Sequence, residues 1–455
     1  MTATHGTPHV EAHQPILEEE FEHEPIPLSH RRSLGQVAAV WFGFPMIITN
    51  AVFGGVIAAN QGFWGAIAAI SIGNAILFGY VGALSYVAGE RGVNFALQAR
   101  STFGTWGCKV ASAFLATIVI GWYAFQTGLT GTAVNASFGW NTSAVIVIAI
   151  ILYTGVTFIG FRALSILGMV AAPLYIVLGL VALGLLWAER GLGGVTAFKG
   201  TEVMTFGGTV TLVIATFADS GTMTADFTRW AKNGREAVAS AFTAFPVANL
   251  VAQLFGIVIV CAGAAAHPDT GGGDFMPVLT EQGGILAALA LIFIFTNLGS
   301  VCTHCLYNGA VGWSNLTRSK MRVLTIVLGI IGGIFSLAGV WTHFLGWLNF
   351  LGIFVPPIGT VLIADQLILK KLGTDIAAKS FELDALGSWT IGSVAALLVH
   401  FGAPQLSEAV SGIIVSFLAY VALNRLLGSR KTRHVAPSAE PDASEQASNQ
   451  SRRAL

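Results

Sequence analysis

The sequence predicts an all-α integral membrane protein of twelve transmembrane helices, and three observations carry that prediction. The first is composition. Hydrophobic residues make up 54% of the 455 and charged residues only 10%, whereas a soluble chain carries about a quarter of its residues charged; mean hydropathy is +0.72. The second is the length of the uncharged runs. Residues 33–89, 110–161, 282–317 and 323–364 hold no Asp, Glu, Lys or Arg. A bilayer core takes about 20 residues of helix, so the longest runs must each hold two passes. The third is the placement of the basic residues. With the N-terminus inside, every Lys and Arg except Arg190 and Lys199 falls on the cytoplasmic side, as the positive-inside bias requires.

Taken in order, the spans are expected near 36–59, 64–88, 107–134, 142–160, 163–187, 207–228, 237–265, 285–307, 323–340, 343–366, 385–402 and 408–427. Breaks at Ala59–Gly62, Asn135–Asn141 and Trp341–His343 divide the longest runs. Both termini are then cytoplasmic in a bacterial-type cytoplasmic membrane. Residues 1–30, acidic and bearing His and Pro, read as a disordered tail, and 430–455, rich in Ser, Ala and Asn, as a second one. Residues 31–429 form the twelve-helix domain between them. No basic segment followed by a short apolar core marks a signal peptide. The net charge of zero implies no nucleic acid polymer as partner. The lipid bilayer is the partner that composition demands.

Two spans carry features that an ordinary spanning helix avoids. The first contains Gly43-Phe44-Pro45 and the sixth Thr216-Phe217-Ala218-Asp219-Ser220-Gly221-Thr222. Proline removes a backbone donor, and broken backbone at membrane depth is tolerated where it lines a cavity. Spans 1 and 6 open two successive five-helix units, so the pattern predicts a five-plus-five inverted repeat with two further C-terminal helices. Interruptions at corresponding places in such repeats point to a binding site near the midplane. In span 3, Trp122 and Gln126 stand one turn apart on one face. In span 8, Asn297, Ser300, Val301 and His304 share a face by the same rule.

Asp219 is a carboxylate at mid-span, which costs roughly 2.5–3.5 kcal/mol on insertion scales and so needs a reason. Hydration at the break, protonation or a helix-capping role each supplies one. Asp226 and Asp365, near cytoplasmic helix ends, are expected to pair with Arg229 and Lys370. Cys302-Thr303-His304-Cys305 invites a metal or redox reading, but small thiols in an uncharged span usually pack. It is also the one candidate for an intramembrane enzyme, and it lacks a carboxylate partner. No catalytic residue and no cofactor are assigned.

Several stretches resemble the bacterial cytosine permeases of the nucleobase–cation symporter family, across nearly the whole chain between the tails. The most specific is Ser220-Gly221-Thr222-Met223-Thr224-Ala225-Asp226-Phe227-Thr228-Arg229. Gly121-Trp122, Gly312-Trp313-Ser314-Asn315-Leu316-Thr317 and Pro356-Pro357-Ile358-Gly359 running to Ile363-Ala364-Asp365 add to it. The resemblance implies the LeuT-like five-plus-five fold. It also implies a secondary active transporter, working by alternating access, that imports a nucleobase or related planar heterocycle with a coupling cation, Na+ or H+. The flat ring would stack between Trp122 and Phe217, with Gln126, Asp219 and His304 completing the substrate site. A sodium site would draw on Gly43, Met46, Asn297 and Ser300.

This sequence departs from the cytosine permease pattern in five places. Val119 replaces a glutamine, Gln126 resembles the family's hydantoin transporters, Asp219 replaces a serine, Val301 stands where a hydroxyl residue is usual, and Cys302-Thr303-His304 stands where the family's helix 8 has an Asn- and Asp-bearing run. A hydantoin or allantoin carrier is therefore the alternative within the class.

Overall fold

A computed structural model describes residues 19–263, 272–340, 344–369 and 380–428. Among the described residues the membrane-spanning elements are helical, as composition demands, because in a bilayer every backbone group must be satisfied within its own segment. In chain order the helices are α1 (Leu34–Gly43), α2 (Ile48–Arg91), α3 (Phe95–Phe138), α4 (Thr142–Ile159), α5 (Phe161–Arg190), α6 (Phe206–Ala215), α7 (Ala218–Thr222), α8 (Ala225–Thr228) and α9 (Gly234–Phe242). They continue as α10 (Asn249–Cys261), α11 (Met276–Thr280), α12 (Gly284–Thr317), α13 (Met321–Leu337), α14 (Phe344–Phe354), α15 (Pro356–Ile363), α16 (Leu383–Gly402) and α17 (Glu408–Gly428). Among the described residues, nine helical stretches are long and apolar enough to cross a membrane.

At about 1.5 Å per residue, the 44 residues of α2 exceed what a bilayer core of about 30 Å accommodates. Gly62 divides them, with φ 70° and ψ −179°, inside the break expected from Ala59 to Gly62. The junction of α3 and α4 also follows the sequence. Gly139 ends α3 in the left-handed region, and Asn141 caps α4 by accepting from the Ala144 N–H at 3.0 Å. The break at Trp341–His343 and the C-terminal tail from 430 lie outside the described residues, as does Lys370.

Helix 1 of the prediction is two pieces, α1 and the first part of α2, parted at Phe44–Ile47. Helix 6 is three short pieces, α6, α7 and α8, parted at Thr216–Phe217 and Met223–Thr224. Two further interruptions were not expected. A π-turn at Thr243–Ala248 contains Pro246, and Val355 separates α14 from α15 ahead of Pro356-Pro357.

Close backbone approaches hold the bundle. A Cβ on Gly256 of α10 would strike the Ala51 carbonyl of α2, and one on Gly54 would strike the Gln253 carbonyl. Likewise, Gly43 of α1 meets the Gly168 backbone of α5. Small residues at helix contacts let dispersion act over short distances where lipid supplies no hydrophobic drive.

The N-terminal segment corrects one expectation. Of the tail expected to be disordered over 1–30, residues 19–30 are packed across the end of the bundle where α2 gives way to α3. Glu20, Phe21 and Ile26 are buried. The Glu20 carboxylate accepts from the Phe161 N–H at 3.0 Å and from the Tyr307 hydroxyl at 2.8 Å. The fully buried Arg229 donates to the carbonyls of Phe21 at 2.7 Å and Glu20 at 2.8 Å. Arg31 donates to the carbonyl of Gly89 at 2.7 Å and to that of Ala231, and His23 lies 3.1 Å from the Ser319 carbonyl.

The expected pairing of Asp226 with Arg229 is also corrected. The Asp226 carboxylate accepts from the Phe95 N–H at 2.9 Å, while the Arg229 guanidinium reaches the Asp226 backbone carbonyl at 3.3 Å. A carboxylate that takes a free N–H in the first turn of a helix is doing the work of a cap. Asp365 takes hydroxyls, from Thr102 and Tyr420, each at 2.7 Å.

Burial pushes the Glu20 carboxyl above its ordinary value of 4.5, and the Tyr307 hydroxyl, the Phe161 N–H and the charges of Arg229 and Arg322 pull it back. The docked segment thus holds a proton that the released segment gives up between that ordinary value and the raised one. Raising the pH through this window favours release. A spin-label distance between Glu24→Cys and Lys320→Cys should lengthen as pH rises above about 4.5, and Glu20→Gln should flatten the response. An unchanged distance from pH 4 to 8 in the otherwise native protein would refute it.

Candidate functional site

The two breaks face one another. At the first, Pro45 supplies no N–H, and the turn is closed by Ile47 N–H to the Pro45 carbonyl at 2.8 Å and by Asn50 Nδ2 to the same carbonyl at 2.6 Å. At the second, Phe217 leaves the helical region (φ −133°, ψ 16°) between α6 and α7. Phe44 from the first break and Phe217 from the second meet edge to face, ring centroids 5.3 Å apart.

Between them lies a small cavity lined by Phe44, Asn50, Trp122, Gln126, Phe217 and Val301, with Ile47, Phe53, Thr216, Ser220 and Cys305 completing the wall. Its volume is about 10 Å³, room for about one water. A heterocycle therefore enters only if the aromatic walls part. Trp122 and Phe217 are 4% and 2% exposed, so a ring held between them would be shielded from solvent.

Of the residues read from sequence as a substrate site, Trp122, Gln126 and Phe217 are brought together on this cavity. Gln126 Oε1 accepts from the Thr49 hydroxyl at 2.8 Å, while its buried Nε2 has no partner within the protein. Asp219 and His304 stand behind the wall. Asp219 is buried on α7, one oxygen accepting from the Ser220 N–H at 2.7 Å. Its carboxylate lies against the Trp122 side chain and close to the Cys305 thiol. The His304 ring lies between the carbonyls of Ser300 and Val40, the latter at 3.1 Å, and stacks on Phe44 with centroids 4.7 Å apart and planes 7° apart. It ties α12 to α1. Cys302 turns away to the Thr127 hydroxyl at 3.4 Å.

Of the four residues read as a cation site, Asn297 and Met46 meet at the first break, with Ser300 one turn further along α12 and Gly43 at the end of α1. Asn297 Nδ2 donates to the Met46 carbonyl at 2.6 Å, and its Oδ1 accepts from the Ile48 N–H at 2.8 Å. Ser300 Oγ is buried with no partner within the protein. Gly43 ends α1 just before the break. These oxygens each keep a lone pair for a cation, but Asn297 already binds the backbone a cation would bind. Val301, on the cavity wall, adds no side-chain oxygen.

Sequence reasoning missed Asn50 and Phe44 as cavity residues. Phe44 was visible as part of the Gly-Phe-Pro break. Asn50 carried a fainter signal, a carboxamide five residues after Pro45 in the uncharged run 33–89, where a buried amide needs partners.

Comparison with known proteins places this geometry. Residues 25–382 match the family described as permeases for cytosine/purines, uracil, thiamine and allantoin. The chain is 29% identical over 421 residues to the cytosine permease of Escherichia coli strain K12, covering 90% of this chain and 96% of that one. It is 24% identical to the allantoin permease of Bacillus subtilis strain 168, over 86% of this chain and 89% of the relative. Among solved structures, Mhp1, a nucleobase-cation-symport-1 family transporter in a closed conformation with bromovinylhydantoin bound, is similar with a TM-score of 0.76. The identity is 19%, over 92% of this chain and 97% of that one. A Na+-coupled sialic acid symporter in a substrate-bound outward-open state has a TM-score of 0.67 at 14% identity, covering 87% and 90%. These structures share its fold. Matched over most of its length, the chain belongs to the family of permeases for cytosine/purines, uracil, thiamine and allantoin, and it is a membrane transporter rather than an enzyme.

Proposed function

We propose that this permease imports a nucleobase or related planar heterocycle together with a cation, by alternating access across a bacterial-type cytoplasmic membrane. Its twelve passes are arranged as five plus five in inverted repeat, with two more at the C-terminus and both termini cytoplasmic. The observation that carries the substrate reading is the cavity between Trp122 and Phe217, with an amide from Gln126 on its wall. Aromatic faces stack on any flat ring and contribute about 1–3 kcal/mol per base. The relatives named for cytosine and for allantoin bound the substrate class from either side. Gln126 favours the hydantoin or allantoin type as a second reading.

Trp122→Ala should weaken binding of the preferred heterocycle about 10- to 100-fold with expression unchanged, and Phe217→Ala should do so less severely. Equilibrium binding to the purified protein reads both. Wild-type affinity in Trp122→Ala would remove span 3 from the site. Gln126→Ala should weaken binding and reorder a panel of nucleobases, hydantoins and allantoin, and an unchanged order would leave Gln126 as packing.

For the coupling ion we favour a proton carried at Asp219 over sodium. Asp219 is a buried carboxylate beside Trp122, on the helix piece that follows the second break. The alternative site at Met46, Asn297 and Ser300 is one hydroxyl short at Val301. Uptake into proteoliposomes should then follow an imposed pH gradient without sodium. Asp219→Asn should abolish accumulation yet retain exchange of internal for external substrate. Strict sodium dependence without response to the pH gradient would assign the coupling to the Met46–Asn297–Ser300 site instead.

A further inference from the structure

We propose that Asn50 is a specificity-determining residue. Together with Gln126 it reads a ligand edge on which a ring N–H stands beside a carbonyl, the edge of a lactam or cyclic ureide. The inference rests on the reading of this cavity as the substrate site.

Asn50 is 1% exposed and lines the cavity. Its Nδ2 donates to the Pro45 carbonyl at 2.6 Å. A carbonyl only accepts, so the amide cannot be turned round, and Oδ1 is left as a pure acceptor. That oxygen is buried without a partner within the protein. Gln126 presents the complement. Its Oε1 is held by the hydroxyl of Thr49, the residue preceding Asn50, and its buried Nε2 is left as a donor.

A buried polar atom left unpaired is destabilising, and two such atoms on the wall of one cavity mark what an occupant must supply. The occupant needs one donor for Asn50 Oδ1 and one acceptor for Gln126 Nε2. A ring amide or ureide offers both on neighbouring atoms. Alkylation of its nitrogens removes the donor, keeps the acceptor and leaves the stacking face intact. The aromatic walls tolerate many rings, so this pair supplies the selection, because a site built to hydrogen-bond an N–H rejects the analogue lacking it. A single water in so small a space could also bridge the two atoms. That rival leaves ligand selectivity independent of Asn50.

The full-length protein in detergent is the test material, with uracil and hydantoin as probes against 1,3-dimethyluracil and 1,3-dimethylhydantoin. The native protein should favour a parent ring over its dimethyl derivative by about tenfold or more. Asn50→Leu should bring the two within about threefold of each other, chiefly by losing affinity for the parent. Full discrimination retained in folded Asn50→Leu would overturn the proposal. Gln126→Glu is a second test, independent of whether Asn50→Leu folds. It turns the donor into an acceptor, so the binding ratio of isocytosine, which offers two neighbouring N–H donors, to uracil should rise by about tenfold. An unmoved ratio would overturn the proposal equally. Should the native protein bind none of these rings, the inference falls; should Trp122→Ala bind a parent ring with wild-type affinity, the substrate reading of the cavity falls with it.

Discussion

Two helices that break inside an apolar slab leave backbone N–H and C=O groups with no water to bind, and the rest of the structure depends on how those groups are answered. At the first break the answer comes from another helix. The amide of Asn297 on α12 donates to the Met46 carbonyl and accepts from the Ile48 N–H, taking both strands of the gap at once. A lost bond of this kind exposes an orphaned group worth about 1–3 kcal/mol. The contact therefore fixes where α2 begins relative to α12. Asn50 and Pro45 close the same turn from within, and His304 ties the end of α1 back to α12 through the Val40 carbonyl. Cavity, candidate cation oxygens and aromatic walls all hang on this one repaired gap.

Much of this was legible in the sequence because its signals were local. Charge-free runs, a proline after Gly43-Phe44 and a polar glycine-bearing stretch in span 6 each report on one segment, and each break stands where it was read. Trp122 and Gln126, one turn apart, both reach the cavity. What the sequence concealed was which partner each polar group would choose. Asp219 and His304 looked like cavity residues because they are polar at mid-depth. The backbone turns one behind Trp122 and the other between two carbonyls. Asp226 looked like a salt-bridge partner for Arg229, yet it caps α3 through the Phe95 N–H, a choice set by tertiary packing.

The segment 19–33 was concealed for a different reason. Its acidic, His- and Pro-bearing composition buries little apolar area of its own, which is what compositional readings of disorder weigh. Its order comes instead from polar groups at helix ends. Arg229 after α8, Tyr307 on α12 and the Phe161 N–H at the start of α5 all bond to residues 20 and 21, and Arg31 returns bonds to the carbonyls of Gly89 and Ala231. Orphaned groups at helix termini need partners, and a short polar strap supplies several together. It bridges helices from both halves of the chain, so any motion that separates those halves at this end must first release it.

The cavity is too small for a base, and that smallness links binding to motion. Its walls come from different elements: Phe44 from the first break, Phe217 from the second, Trp122 and Gln126 from α3, and Val301 from α12. Admitting a flat ring means parting Phe44 and Phe217, which now touch edge to face, and each belongs to a helix already interrupted at that point. An unbroken helix would have to shift along its whole length, whereas a broken one moves one half about the gap. Phe44 also stacks on His304, so displacing it loads the tie between α1 and α12. On the proposed reading, a ring that enters would gain stacking on Trp122 and satisfy the unpaired amide atoms only when the walls have moved. A ligand shifts an equilibrium by no more than its differential affinity for the two states. On the proposed reading, that difference would be built from contacts that exist only once the broken helices have separated, which would place the energy of recognition on the same elements that alternating access would move.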